Sequence, residues 1–155
     1  MPVGRVAAVS DDFSTLFYDV TARLMTGIHE GVFRASRGRA LSTLMGMPVV
    51  LVTTHGRQTG EARSVMLTAP IADEHRIVLV ASNGGSDRHP GWFHNLLADP
   101  NVVVLGDGRE QQMRARVVEG DERAALWPEV VDRYPGYAWY QGHTDRQVPL
   151  VVLDG

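Results

Sequence analysis

Two glycine-bearing turns and a run of tyrosines hold most of the residues in this chain that could do chemistry. The first turn is Gly56-Arg57-Gln58-Thr59-Gly60, with Arg63 and Ser64 close behind. Glycines let successive backbone N–H groups converge on an anion, and Arg57 and Arg63 add charge-assisted, bidentate donors. The second turn is Ser82-Asn83-Gly84-Gly85, where two glycines permit backbone conformations closed to other residues and close approach of a ligand. His89-Pro90-Gly91-Trp92-Phe93-His94-Asn95 follows and starts a helix. Two such turns at strand ends, with arginines and small hydroxyl residues, are what a flat anionic cofactor needs. Taken singly, each also reads as an ordinary solvated turn.

The first turn is not a P-loop, because it lacks the closing Lys-Ser/Thr and a following helix. Tyr134, Tyr137 and Tyr140 recur every third residue and fall near one helical face, with Trp127 and Trp139 nearby. They read either as aromatic packing with phenol tips at the surface or as a pocket wall. In the second case a phenol orients a flat substrate or donates a proton. His89 and His94 are five apart, the wrong spacing for one helical face, and no carboxylate completes a metal motif. No metal site is expected. No Gly-x-Ser-x-Gly elbow occurs either.

These residues need elements to hold them, and 155 residues suffice for one domain with its own core. A net charge of −3 argues against a nucleic-acid partner. The absence of cysteine removes disulfide and thiolate chemistry and suits a reducing, cytoplasmic setting. Neither a signal peptide nor a membrane span is expected. Residues 1–10 read as a flexible tail, and 11–155 as a single domain that includes an N-terminal amphipathic helix over about 12–36. In that helix Phe13, Leu16, Phe17, Val20, Leu24, Met25, Ile28, Val32 and Phe33 form an apolar stripe, and Arg34, Arg37 and Arg39 cluster at its end. The stripe packs on its own domain, or serves as a substrate lid or a peripheral membrane contact. Strands are expected at 48–54, 62–71, 76–82, 101–105, 111–118 and 150–153. Further helices are expected at 92–98, 121–133 and 137–142. About six strands with scattered helices make an α+β, mainly β, fold built on a closed or partly closed barrel. A doubly wound parallel sheet is the competing picture and fares worse, since the first three strands leave no room for crossover helices.

These residues, in this order, resemble the deazaflavin-dependent nitroreductase family, whose members are also described as deazaflavin-dependent quinone reductases. The resemblance is carried by Leu-Val-Thr-Thr-x-Gly-Arg-x-Thr-Gly, then Arg63, Ala-Ser-x-Gly-Gly, and His-Pro-x-Trp-Phe-x-Asn-Leu-x-Ala-x-Pro at 89–100. Leu126-Trp127, Tyr134-Pro135, Tyr140-Gln141, Thr144-Asp145-Arg146 and the run from Pro149 to Leu153 extend it. It implies a split β-barrel, similar to flavin-reductase and FMN-binding folds. The implied cofactor is the 8-hydroxy-5-deazaflavin coenzyme (F-420), with FMN second, and the partner is a small-molecule electron acceptor. By the same resemblance, Arg57, Gln58, Thr59, Arg63, Ser64, Val65, Met66 and Leu67 bind the coenzyme. So do Ala81, Ser82, Asn83, Gly84, Gly91, Trp92, Phe93, His94 and Asn95. Tyr134, Tyr137 and Tyr140 border the substrate as candidate catalytic residues. The chain departs from the family pattern in having Gln58 and Asn83 where positive charge is frequent, and in Val65-Met66-Leu67. The implied reaction is hydride transfer to a quinone, nitroaromatic or activated enone. A noncatalytic flavin, haem or lipid-like carrier on the same barrel and an FMN oxidoreductase are the alternatives. A split barrel of this kind also admits a homodimer.

Overall fold

The structure, a computed structural model, describes residues 28–155. The expected tail and most of the expected N-terminal helix lie outside the described residues. Helix α1 (28–35) leads into β1 (Thr43–Leu44), β2 (Met47–His55), β3 (Ala62–Thr68), β4 (Ile71–Ala72) and β5 (Arg76–Val80). A 3₁₀ turn (Asn83–Gly85) and α2 (Gly91–Ala98) follow. Then come β6 (Asn101–Gly106), β7 (Arg109–Val118), α3 (Gly120–Arg133), α4 (Gly136–Gly142) and β8 (Leu150–Asp154). Six strands have five residues or more, and two have only two.

Every pairing is antiparallel, in the order β1-β2-β6-β7-β8-β5-β4, with β3 also on β2. The chain runs from β3 straight into β4 through Ala69 and Pro70, so the two far edges of the sheet are covalently joined and the sheet curls into a barrel. The strand expected over 62–71 is thus broken. Pro70 has no amide to continue a ladder, and Ala69 instead donates its amide to the Pro48 carbonyl at 2.8 Å.

The apolar runs in β2, β5 and β8 lack alternation because both their faces are covered. Val50, Val52, Ile77, Leu79, Val151 and Leu153 point inward with Phe93 and Leu96 of α2. Val78, Val80, Leu150 and Val152 point outward under Leu126 and Val130 of α3 and Tyr137 of α4. Val49 and Leu51 lie under Phe33 of α1. Strand β7 alternates because its outer face meets water: Met113 and Ala115 are buried, while Arg114 and Arg116 are exposed.

Helix α1 ends in a Schellman motif. The Gly38 amide donates to the Phe33 carbonyl (2.7 Å) and the Arg37 amide to the Arg34 carbonyl (3.0 Å). Gly38 has φ +77°, and a Cβ there would stand 3.0 Å from the Gly106 Cα, so the helix end sits directly on the β6–β7 hairpin. That hairpin turns on Asp107-Gly108, both at positive φ. The described part of the stripe is divided. Phe33 is fully buried, but Ile28 and Val32 remain exposed, as do Leu41, Leu44 and Met45 just beyond.

Candidate functional site

The turn between β2 and β3 is closed by two backbone bonds, Gly56 N–H to the Glu61 carbonyl and Gly60 N–H to the Gly56 carbonyl, each 2.7 Å. A buried amide fixes it from behind. Asn95 Oδ1 accepts from the Arg57 backbone N–H (3.2 Å) and from Arg57 Nη1 (3.1 Å), and its Nδ2 donates to Thr54 Oγ1 (3.2 Å). Thr54 and Asn95 are both buried, so α2 holds the basic turn through a satisfied polar link rather than apolar contact alone. On the neighbouring strand, Ser64 shares a 2.8 Å hydrogen bond with Thr53 and accepts from Arg34 Nη2 at 2.7 Å.

Thr54, Gly56, Arg57, Gln58, Thr59, Arg63, Ser64, Gly91 and Asn95 surround a polar cleft of about 680 Å³, with Val65, Asn83 and Trp92. Those last three also line a second, mostly apolar cleft of about 650 Å³. Its other walls include Met47, Met66, Leu67, Thr68, Ser82, Gly84 and the three tyrosines, and Leu41, Leu44 and Met45 stand at its edge. The two clefts therefore share a wall. Together they suit a ligand with a flat apolar part and an anionic tail.

Three expected cofactor contacts are not on either cleft. Ala81 and Phe93 are buried in the barrel core, because the helical turn that brings Trp92 and Asn95 to the clefts turns Phe93 inward. His94 packs edge-on against Phe93 and His89. The remaining expected residues do line the clefts.

The tyrosines form one aromatic cluster. Tyr134 and Tyr137 are edge-to-face at 5.2 Å, and Tyr140 lies 6.4 and 6.2 Å from them. Tyr137 is buried, and its hydroxyl shares a 2.9 Å hydrogen bond with Thr68. Burial raises its pKa, outweighing that hydrogen bond. The pKa of Tyr140 is raised by a hydrogen bond with Tyr134, then by burial. Both phenols are thus kept neutral. Helix α4 lies close on the glycine loop, since a Cβ at Gly85 would stand 3.2 Å from the Tyr140 carbonyl oxygen.

The fit to a deazaflavin coenzyme can be tested at Gly91. Nothing lies within 4 Å of where its Cβ would be, and its backbone is in an ordinary region. The fold does not require glycine there, yet Gly91 lies in the polar cleft, where a side chain would take up ligand space. Arg57, Arg63 and the open turn supply donors of the right sign for an acidic tail. Among the described residues no group of His, Asp and Glu is placed to hold a metal ion.

The sequence pattern includes Arg146 among the residues of the resemblance but gives it no role. Its guanidinium reaches the carbonyls of Ala81, Ser82 and Ser86 and the ring of His89, groups far away in the chain. No local pattern signals such a contact.

A family model described as F420H(2)-dependent quinone reductase matches residues 25–155. The chain belongs to this family. An F420H(2)-dependent quinone reductase of Mycobacterium tuberculosis (strain ATCC 25618 / H37Rv) is 34% identical over 130 residues, 81% of this chain and 87% of the relative. Among solved structures, an F420-H2 dependent reductase (FDR-A) is 38% identical at a TM-score of 0.63, covering 69% of this chain and 94% of its own. A structure described as a domain-swapped dimer is 33% identical at a TM-score of 0.65, covering 82% of this chain and 96% of its own. A haem-binding protein from Mycobacterium smegmatis, at 19% identity and a TM-score of 0.52, shares the fold. The expected split barrel is thus the fold of this family member.

Proposed function

We propose that this chain is an oxidoreductase that passes a hydride from the reduced 8-hydroxy-5-deazaflavin coenzyme to a quinone. Nitroaromatics and activated enones are further acceptors of the same electronic kind. The observation that carries the reading is the pair of clefts joined at Val65, Asn83 and Trp92, one basic and polar, one apolar and tyrosine-walled. Family membership supports the coenzyme assignment.

The bound coenzyme supplies the hydride, and the protein supplies placement and electrostatics. In this reading Arg57 and Arg63 hold the acidic tail, and Asn95 keeps Arg57 pointed at it. Trp92, Val65 and Leu67 border the flat ring. Tyr134 and Tyr140 face an acceptor laid over it and donate hydrogen bonds to the oxygen on which charge develops. Tyr137, whose hydroxyl is engaged by Thr68, stiffens the wall. The raised pKa of Tyr140 makes its phenol a neutral donor rather than a strong acid, so water completes the proton delivery.

The test is titration with oxidised and reduced deazaflavin, with FMN as comparator, followed by anaerobic oxidation of the reduced coenzyme by a soluble quinone and a nitroaromatic. Micromolar or tighter deazaflavin binding with quinone turnover supports the reading. Absence of deazaflavin binding would overturn it. We also propose a homodimer. The exposed Ile28, Val32, Leu41, Leu44 and Met45 supply an apolar surface, and a relative is described as a domain-swapped dimer. Light scattering reads the mass directly, and flotation with vesicles separates self-association from a membrane contact of the same residues.

A further inference from the structure

The loop that forms the shared wall of the two clefts has an unusual backbone. Ser82 is right-handed, at φ −73° and ψ −31°. Asn83, Gly84 and Gly85 then take φ of +46°, +65° and +83°. A step from right- to left-handed conformation turns successive amide N–H groups toward one side, which makes a concavity for an anion or a polar ring edge. Among the described residues no carbonyl accepts from the amides of Asn83 or Gly84. The loop's own bonds close it, from the Gly85 amide to the Ser82 carbonyl (3.0 Å), from the Ser86 amide to the Asn83 carbonyl (3.2 Å) and from Asn83 Nδ2 to the Arg88 carbonyl (3.0 Å), and asparagine is one of the few side chains that tolerate the left-handed region. Its flanks are held from outside.

One side chain clamps both flanks of that turn. Arg146 Nη2 donates to the Ser82 carbonyl at 2.8 Å and to the Ala81 carbonyl at 3.2 Å. Nη1 reaches Ala81 at 3.2 Å and lies 3.0 Å from His89 Nδ1. Nε donates to the Ser86 carbonyl at 2.8 Å. The planar fork thus bonds before the turn on one edge and after it on the other, which the single point of a lysine ammonium cannot do. Arg146 is held in its turn. Its carbonyl accepts from Gln141 Nε2 (2.8 Å), so the clamp is anchored to α4, the helix of Tyr137 and Tyr140. Asp87, the nearby acid, accepts through Oδ1 from the Thr144 hydroxyl at 2.8 Å, leaving the guanidinium to the carbonyls.

We infer that Arg146 is a positioning residue for the coenzyme cleft: its guanidinium fixes the left-handed Asn83–Gly85 turn, whose Asn83 lines both clefts, and ties that turn to the tyrosine helix. The role rests on the reading above that the cleft takes the deazaflavin. Arg146 lines neither cleft, so it acts through the loop and not by touching the ligand.

The experiment compares the full-length protein with Arg146→Lys and Arg146→Ala by three readouts: hydrogen exchange of the 81–88 segment without coenzyme, fluorescence titration with the deazaflavin, and steady-state kinetics with a soluble quinone. Arg146→Lys keeps the charge and is the deciding variant should Arg146→Ala not fold. The expected result for Arg146→Lys is faster exchange confined to 81–88, with the melting temperature close to native. Its coenzyme Kd and KM rise about tenfold, as for loss of one or two charge-assisted bonds. Native-like exchange and coenzyme affinity in Arg146→Lys would overturn the inference while leaving the functional reading intact. Failure of the native protein to bind deazaflavin would overturn the functional reading and this role with it.

Discussion

At Asn95 a single buried amide side chain ties the buried Thr54 hydroxyl to the exposed Arg57. Asn95→Ala should cost about 1–3 kcal/mol of stability, because the Thr54 hydroxyl loses a buried partner and the Arg57 amide its acceptor. Coenzyme affinity should fall as well, since Arg57 is no longer aimed. Denaturant unfolding and a coenzyme titration on the same preparation check both. Gly91→Ala separates the two effects. Helix α2 starts at Gly91 and a Cβ there meets nothing, so alanine should leave stability unchanged or raise it by up to about 1 kcal/mol. Coenzyme binding should nonetheless weaken, and unaltered binding would take Gly91 off the ligand's path. His89 carries a pH signature. Its pKa is lowered by burial first, then by the charges of Arg146 and His94. The unfolded chain therefore takes up this proton at a higher pH than the folded one. The resulting stability is complete above the ordinary histidine range, near pH 6.5, and declines as pH falls toward the lowered folded value. Melting temperatures measured from pH 7.5 down to 5.5 should decline less steeply in His89→Gln than in the native protein.

At the scale of elements, the described part of α1 is held to the sheet by one buried apolar side chain, Phe33, beside the Arg34 hydrogen bond to Ser64. Phe33 is buried against Val49 and Leu51, whereas Ile28 and Val32 beside it are exposed. Phe33→Ala should cost about 3–5 kcal/mol if α1 stays in place, or less if the helix simply releases. Limited proteolysis tells the two apart, since release exposes the 36–46 segment to cleavage. How legible each element is in the sequence follows from what covers it. Strand β7 can be read by eye because one of its faces is wet. Strands β2, β5 and β8 show only as apolar runs, since helices cover the face that would otherwise alternate. The break at Ala69-Pro70 is signalled in the sequence by Pro70 alone, a residue that an edge strand would also tolerate. Strand β1 has two residues and no periodicity to show. The glycine turns were legible as possible anion sites because glycine and arginine carry that meaning locally. Arg146 was not, because its acceptors are backbone carbonyls that any sequence would present.

For the whole molecule, the site is where three separate stretches of chain converge: the β2–β3 turn, the loop after β5 and the α3–α4 tyrosines. No stretch carries the chemistry alone, which is why each motif reads as weak in isolation and the ordered set reads as specific. The sheet order has a further consequence for how the chain is made. Among the described strands β8 follows all the others in the chain, yet it lies between β7 and β5, pairing with both along its length. On the ribosome, β5 and β7 each emerge with a bare edge and wait for Leu150–Asp154. The barrel cannot close, and neither cleft can take its final form, until those residues leave the exit tunnel. Vectorial folding is thus barred by topology, and the nascent chain passes through a stage in which chaperone capture or edge-to-edge misassociation competes with completion.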